Sequence, residues 1–198
     1  MTTIKLILTF FILVSGLIPG FAQSNEADQI RSILQERDHE IKELIGPENT
    51  EYTEDQRQQL RSIINDMMDY REMGRHALDE KFSELDTDQQ DEFIELFTKI
   101  IRDQSLQQLD IYRAEVNYED IQVSEDTAKV ITTAILDERR IPVNYRMKKK
   151  EGEWFITDMS VDSAWTAESY QRSFQNIIRR RGFDALLESL RKRAGQIS

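Results

Sequence analysis

The sequence predicts an α+β domain because the spacing of its apolar residues changes twice along the 198-residue chain. Between Glu26 and about Tyr112 the apolar residues recur at helical spacing. From Glu115 to about Val161 they alternate with polar residues, as in strands that bury one face. Helical spacing returns at about Ala167. Helices, then consecutive strands, then closing helices are the order typical of an α+β fold.

The first 22 residues have the pattern of a secretory signal peptide. Lys5 precedes an apolar run from Leu6 to Ile18, and Gly20-Phe21-Ala22 supplies the small residues that signal peptidase recognises. We therefore expect cleavage before Gln23 and one mature domain over residues 23–198. The chain contains no cysteine, so a lipoprotein anchor is not expected. A retained membrane helix is the alternative, and the shortness of the run argues against it.

Two helices are predicted in the first part of the mature chain. The first runs from Glu26 to Ile45 and ends at Gly46-Pro47. The second starts at the capping box Thr53-Glu54-Asp55-Gln56 and continues to Met68. Both have an apolar stripe that is wide enough to face a core. The stripes consist of Ile30, Ile33, Leu34, Ile41 and Leu44 in the first helix, and of Leu60, Ile63, Ile64, Met67 and Met68 in the second.

Two further helices are expected before the strands. A short one spans Met73 to Phe82, and a longer one begins with a cap at Asp86 and runs to about Tyr112. The acidic cluster at the start of the longer helix does not fit a calcium loop, because Asp91 and Phe97 replace the required glycine and glutamate. Acidic residues that favour a helix N-terminus are the preferred interpretation.

Four strands joined by short turns predict an antiparallel, curved sheet. The last two form a hairpin, because Gly152 interrupts the alternation and can adopt a positive φ in a tight turn. A turn at Glu125-Asp126 joins the first two. The predicted strands are Val116 to Val123, Ala128 to Leu136, Val143 to Lys148, and Trp154 to Val161.

Two helices close the chain, from about Ala167 to Arg181 and from Asp184 to Leu190, with Gly182 as a C-cap between them. Residues 166–198 contain seven basic and three acidic residues. The mature chain as a whole contains 37 acidic and 25 basic residues and has a formal charge of −12. Two explanations remain open. The basic residues interact favourably with the negative ends of the helix dipoles, or they bind an acidic partner or an anionic lipid surface.

The composition argues against several classes of function. The absence of cysteine excludes thiolate metal sites and cysteine nucleophiles, and the acidic total argues against broad nucleic-acid binding. His39 and His76 belong to no metal-binding pair, and the chain has neither a G-x-S-x-G motif nor a glycine-rich phosphate loop. We therefore predict that the chain is not an enzyme and expect no metal or other cofactor.

Asp158 is the best candidate for an enzymatic group. In an apolar pocket it could act as a base with a raised pKa, and Tyr145 or Tyr170 could donate a hydrogen bond. The favoured alternative is that Asp158 lies on the polar face of its strand and pairs with Arg146 across the hairpin.

Residues of the hairpin and the closing helices, with two stretches upstream of them, form one ordered set. They are Tyr145-Arg146, Gly152, Trp154, Ile156, Asp158, Tyr170, Phe174 and Gly182-Phe183-Asp184, with Met68-Asp69-Tyr70 and residues 87–97 upstream. Their order and spacing resemble the MlaC family of periplasmic phospholipid-binding proteins, and the predicted fold is similar to the NTF2-like type. The resemblance spans most of the mature chain. The segment from Val161 to Trp165 departs from the small-residue pattern usual in the family.

The resemblance implies an apolar cavity for the acyl chains of a diacyl phospholipid, enclosed by the sheet and the helices. It further implies a monomeric periplasmic carrier. This carrier exchanges lipid with an outer-membrane lipoprotein and porin complex and with an inner-membrane ABC transporter that has an MCE-domain subunit. We expect docking to involve Arg179, Arg180 and Arg181. A ligand-free interaction module with a filled core and a pocket enzyme remain as alternatives. The residues expected to bind lipid are Phe93, Phe97, Tyr145, Met147, Trp154, Ile156, Tyr170 and Phe174.

Overall fold

The computed structural model describes residues 19–47, 51–107 and 109–197. Residues 1–18 of the predicted signal peptide lie outside the described residues. The helices are α1 (Pro19–Ile45), α2 (Glu54–Asp66), α3 (Tyr70–Leu78), α4 (Glu80–Ser83), α5 (Thr87–Gln107), α6 (Thr166–Arg181) and α7 (Phe183–Ala194). The strands are β1 (Glu115–Ser124), β2 (Thr127–Leu136), β3 (Arg139–Lys150), β4 (Glu153–Val161) and β5 (Ala164–Trp165). No helix in these ranges is long and apolar enough to span a membrane.

The sheet is an antiparallel meander in which the strands follow one another in the order β1-β2-β3-β4-β5. This arrangement confirms the predicted α+β fold. The pairing shifts by one residue between Tyr118 and Asp120 of β1 and again opposite Arg146 and Met147 of β3. Such bulges bend strands and increase their twist, so they favour a sheet that curves around what it encloses.

The predicted local signals are present at the helix starts. The hydroxyl of Thr53 accepts a hydrogen bond from the backbone N–H of Gln56, whose side chain accepts one from the N–H of Thr53 in return. Asp86 and Gln89 form the same reciprocal pair at the start of α5. Each pair uses backbone donors that a helix N-terminus leaves unsatisfied.

Several predictions of element number and bounds were wrong. The first helix begins at Pro19 rather than at Glu26, and the short helix predicted over Met73 to Phe82 is divided into α3 and α4. The helix expected to reach Tyr112 ends at Gln107, and the chain then tightens into a 3-10 turn over Leu109–Arg113. The sheet has a fifth strand, β5, which pairs with Ser160 and Val161 of β4. Two residues are too few to produce an alternating pattern, and β5 falls in the segment that departs from the family pattern.

Buried residues form four clusters. The largest is purely helical and joins α3, α5, α6 and α7, with Phe93 and Phe97 fully buried at its centre. A second packs Ile30 and Leu34 of α1 against strands β2 to β4. A third joins α1 to α2, and a fourth lies on the sheet around Ala134. Residues from these clusters line a cavity that lies between them.

Candidate functional site

A cavity with an empty volume of about 720 Å³, including the part open to solvent, lies between the sheet and helices α1 and α2. Its walls are almost wholly apolar. The lining residues are Leu34, Asp38, Ile41, Ile64, Met67, Met68, Tyr70, Ile101, Tyr112, Val116, Tyr118, Tyr145, Ile156 and Met159.

Helix α1 supplies one wall of this cavity. Leu34, Asp38 and Ile41 follow one another at intervals of four and three residues, so they lie on one face of the helix. The start of α1 is fixed to the β3–β4 hairpin by Glu26, whose carboxylate accepts hydrogen bonds from Lys149 Nζ at 2.6 Å and from Trp154 Nε1 at 2.9 Å. The helix is therefore held against the sheet above the cavity.

The opposite wall is formed where the α2–α3 connection meets β4. The backbone N–H of Ile156 donates to Met67 O at 2.7 Å, and the N–H of Asp69 donates to Ile156 O at 2.9 Å. These two bonds place Met67 and Met68 beside the strand. Methionine is flexible and polarizable, so it adapts to ligands of irregular shape.

Several apolar side chains that point toward the cavity are not fully buried. Val116, Tyr145 and Met159 are only partly buried, although their strand neighbours Val130 and Ile156 are buried. Tyr145 and Met159 pair directly across β3 and β4, so they project from the same face. An apolar surface left unpacked inside a fold is a binding surface for an apolar ligand. The filled core expected of a ligand-free module is not observed in the described residues.

Four tyrosines also line the cavity. The Tyr70 hydroxyl donates to Asn65 Oδ1 at 3.0 Å. Burial raises the pKa of Tyr118 to about 12, and burial raises the pKa of Tyr112 and Tyr145 still further. All of these phenols are therefore neutral at physiological pH, and each carries a hydroxyl hydrogen that can be donated; Tyr70 donates its own to Asn65.

Asp158 lies outside the cavity. It faces α6, where its Oδ1 accepts hydrogen bonds from the backbone N–H groups of Ala167 at 3.0 Å and Met159 at 2.9 Å. Arg146 Nη1 donates to Asp158 Oδ2 at 3.3 Å, which confirms the predicted pair across the hairpin. Burial raises the pKa of Asp158, against the lowering effect of the Ala167 N–H and of Arg146. A carboxylate with both oxygens engaged, away from the cavity, is a structural group rather than a base.

A scan against protein-family models matches residues 25–192 to the MlaC protein family. The chain belongs to the MlaC family. This membership confirms the resemblance inferred from the hairpin and closing helices. The MlaC family consists of lipid-binding carriers that are not enzymes, so the prediction that this chain is not an enzyme is also confirmed.

One solved structure similar to this MlaC-family chain is a phospholipid-binding protein from Ralstonia solanacearum, determined in complex with a phospholipid. The two chains are 19% identical and superpose with a TM-score of 0.70 over 86% of this chain and 97% of the other. At this identity the similarity supports the fold. None of the curated proteins matches this chain.

The residues predicted to bind lipid lie in three places in this MlaC fold. Tyr145 and Ile156 line the cavity. Met147 and Trp154 belong to the cluster between α1 and the sheet, next to the cavity but not on its wall. The other four form an aromatic group in the helical core, with ring centroids 5.2 to 6.2 Å apart. These four residues are Phe93, Phe97, Tyr170 and Phe174.

Several lining residues were not singled out from the sequence. Tyr118 alternates with polar residues on β1, and Asp38 interrupts the apolar stripe of α1, so both positions are visible in the sequence pattern. The pattern does not indicate that a cavity separates them. Tyr112 lies in the 3-10 turn, whereas the sequence predicted it at the end of a long helix.

Arg179, Arg180 and Arg181 occupy the last turn of α6 and are exposed. Within the described part of the chain, none of them pairs with a carboxylate. Gly182 follows with a φ of 85° and ends the helix. No group of three or more potential ligand side chains in the described residues could hold a metal ion.

Proposed function

We propose that this MlaC-family protein is a phospholipid carrier that holds acyl chains in the cavity between α1, α2 and the sheet. The observation that carries the proposal is the cavity itself. It is lined almost entirely by apolar side chains, which a filled core would have packed against one another. The Ralstonia solanacearum protein of the same fold was solved with a phospholipid bound, which supports the choice of ligand.

The size of the hydrophobic effect explains why such a protein encloses its ligand. At about 0.8 kcal/mol per methylene, the roughly thirty methylenes of two acyl chains cost on the order of 20 kcal/mol when exposed to water. A lipid cannot cross an aqueous compartment alone against that cost. An apolar cavity makes transfer from a membrane nearly neutral in free energy, so the direction of transfer depends on the partners.

We infer from the family and from the predicted signal peptide that the protein acts in the periplasm. Its proposed partners are an outer-membrane lipoprotein and porin complex and an inner-membrane ABC transporter with an MCE-domain subunit. Shuttling between them would help to maintain the lipid asymmetry of the outer membrane. The cavity contains no catalytic constellation, which is consistent with a cycle of binding and release.

Arg179, Arg180 and Arg181 are the proposed docking residues. Their exposure and their lack of ion-pair partners within the described residues support this role, because free cations can steer an acidic partner. The test replaces all three by glutamine, which removes the charge and retains helix propensity. We expect slower association with the isolated partner complexes and unchanged bound lipid. Unchanged association at low and high salt would refute the docking role.

The carrier proposal is tested by native mass spectrometry of mature protein purified from a bacterial periplasm, followed by lipid extraction. We expect one adduct per chain whose extract contains diacyl phospholipid. Protein that runs at its polypeptide mass and takes up no lipid from phospholipid vesicles would contradict the proposal.

A further inference from the structure

The cavity contains more hydrogen-bonding groups than acyl chains require. Four of the six tyrosines of the chain line it, although phenylalanine would offer the same apolar area without a hydroxyl. Tyr70 is satisfied by Asn65. The hydroxyls of Tyr112, Tyr118 and Tyr145 have no hydrogen-bond partner among the described residues.

These three hydroxyls face open space rather than packed protein. In the described part of the chain, no tyrosine oxygen is both buried from solvent and without a hydrogen-bond partner. Each oxygen therefore remains accessible, and all three side chains line the cavity. Two of the phenols also lie on one shared wall, since Tyr118 and Tyr145 pack against the same cluster between α1 and the sheet.

The charge of Asp38 indicates what these donors bind. Asp38 lines the cavity, pairs with Lys42 at 2.8 Å, and is close enough to raise the pKa of both Tyr118 and Tyr145. A carboxylate on the cavity wall disfavours a phosphate group beside it, even though Lys42 offsets part of its charge. The acceptor that suits neutral phenols beside a negative charge is a neutral carbonyl oxygen.

A cage for a quaternary ammonium group is the competing interpretation of several tyrosines and an acid. The ring geometry argues against it. The guanidinium of Arg31 lies 5.4 Å from the ring centroid of Tyr118, and that of Arg102 lies 5.0 Å from that of Tyr70. Two of the four rings therefore already have a cation over one face.

We propose that Tyr112, Tyr118 and Tyr145 form a hydrogen-bonding subsite for the ester carbonyls of a glycerolipid. The glycerol ester region then lies inside the cavity at the level of β1 and β3, with the phosphate further out. The inference rests on the proposed carrier function and adds a chemical preference to it. The protein distinguishes lipids by the linkage of their chains rather than by chain length alone.

The test uses two phosphatidylcholines with the same headgroup and chain length, one with ester-linked and one with ether-linked chains. Delipidated full-length mature protein is offered both at equal concentration, and native mass spectrometry measures the ratio bound. We expect the wild-type protein to favour the ester lipid by about three- to tenfold, as one or two hydrogen bonds predict. The double variant Tyr118→Phe with Tyr145→Phe should bind both lipids in a ratio near one.

Tyr52→Phe is the matched control, because Tyr52 lies outside the cavity wall and its hydroxyl contacts Arg113. It should retain the ester preference. Thermal unfolding without lipid shows whether the double variant is folded, and loss of two unpartnered hydroxyls should not lower its midpoint. Equal binding of both lipids by the wild-type protein, or an ester preference that survives in the folded double variant, would overturn the subsite. Failure of the wild-type protein to bind either lipid would overturn the carrier function, and the subsite with it.

Discussion

The side chain of Asp158 on β4 caps helix α6 from outside the helix, with its Oδ1 3.0 Å from the backbone nitrogen of Ala167. Trp165, the residue at the N-cap position, provides no side-chain acceptor. Arg146 completes the connection, because its guanidinium contacts Asp158, lies 4.0 Å from the Trp165 ring centroid and donates to Glu168 at 2.9 Å. Asp158 and Arg146 therefore fix the sheet to the closing helices.

Asp158→Ala should destabilise the protein by about 1 to 3 kcal/mol, because it leaves a buried helix N–H without its acceptor. Asp158→Asn keeps an oxygen that accepts from Ala167 but places an NH2 group where Oδ2 accepts from Arg146, so it should cost less than Asp158→Ala. Urea unfolding at pH 7 measures both variants. Lipid bound after purification should stay at the wild-type level in Asp158→Asn. A loss of lipid in a stable Asp158→Asn variant would contradict a structural role.

Glu72 makes stability depend on pH. Hydrogen bonds from Arg75, at 2.8 and 3.1 Å, lower the pKa of Glu72 to about 2. The positive charge of Lys148 lowers this pKa to a smaller extent. A folded-state pKa below the unfolded value adds stability at pH values above about 4.5, and this stability is lost as the pH falls towards about 2. Because Arg75 is half-exposed, we expect only about 1 to 2 kcal/mol from this source.

The variant Glu72→Gln removes the titratable carboxyl group and so tests its contribution to the pH dependence of stability. Urea unfolding at several pH values between 2 and 5 should show a smaller loss of stability on acidification than in the wild-type protein. Asp158 has the opposite effect on the pH dependence of stability, because its raised pKa favours the folded state at low pH. An identical pH dependence in Glu72→Gln and the wild-type protein would show that Glu72 is not the group responsible.

Gly74 allows α3 to approach α5 closely. A Cβ at this position would lie 2.5 Å from Ile94 Cδ1 and 3.3 Å from the rings of Phe93 and Phe97. Gly74→Ala should therefore destabilise by about 1 to 2 kcal/mol, the cost of overpacking less the gain in helix propensity. Adding Ile94→Val removes the closest atom and should recover part of the loss. Thermal unfolding of the two variants tests this, and greater stability of Gly74→Ala alone would contradict it.

The sequence predicts the features that depend on neighbouring residues. The capping boxes at Thr53 and Asp86, the Gly152 turn and the alternation of Tyr145 with Arg146 each involve a few positions along the chain, and each is present in the structure. The pairing of Arg146 with Asp158 is also local, since it follows from the register of one hairpin.

Features that depend on how distant elements approach could not be predicted in the same way. Phe97 and Tyr118 are equally apolar in their sequence patterns, yet Phe97 lies in the solid helical core and Tyr118 on the cavity wall. The difference arises because Phe97 on α5 packs among α3, α6 and α7 in the helical core, whereas a cavity lies beside Tyr118 between α1 and the sheet. The lipid-binding role of Phe97 and its aromatic neighbours remains a prediction.

Filling the cavity provides the most direct test of the site. Val116 lies on its wall and is only partly buried, so Val116→Trp should place an indole in space that a ligand would otherwise occupy. We expect a loss of bound phospholipid of about five- to hundredfold, the effect of overpacking by about 1 to 3 kcal/mol in the complex. Lipid extraction from purified protein measures the loss.

Ile131→Trp is the control for size and hydrophobicity. Ile131 is a partly buried residue of β2 whose side chain alternates with those of the buried Val130 and Thr132, so it projects from the opposite face of the sheet. This variant should keep its lipid. Because the indole of Val116→Trp buries apolar area in the lipid-free protein, that variant should unfold at a temperature no lower than the wild-type protein without lipid. Equal lipid content in the two tryptophan variants would show that the acyl chains lie outside this cavity.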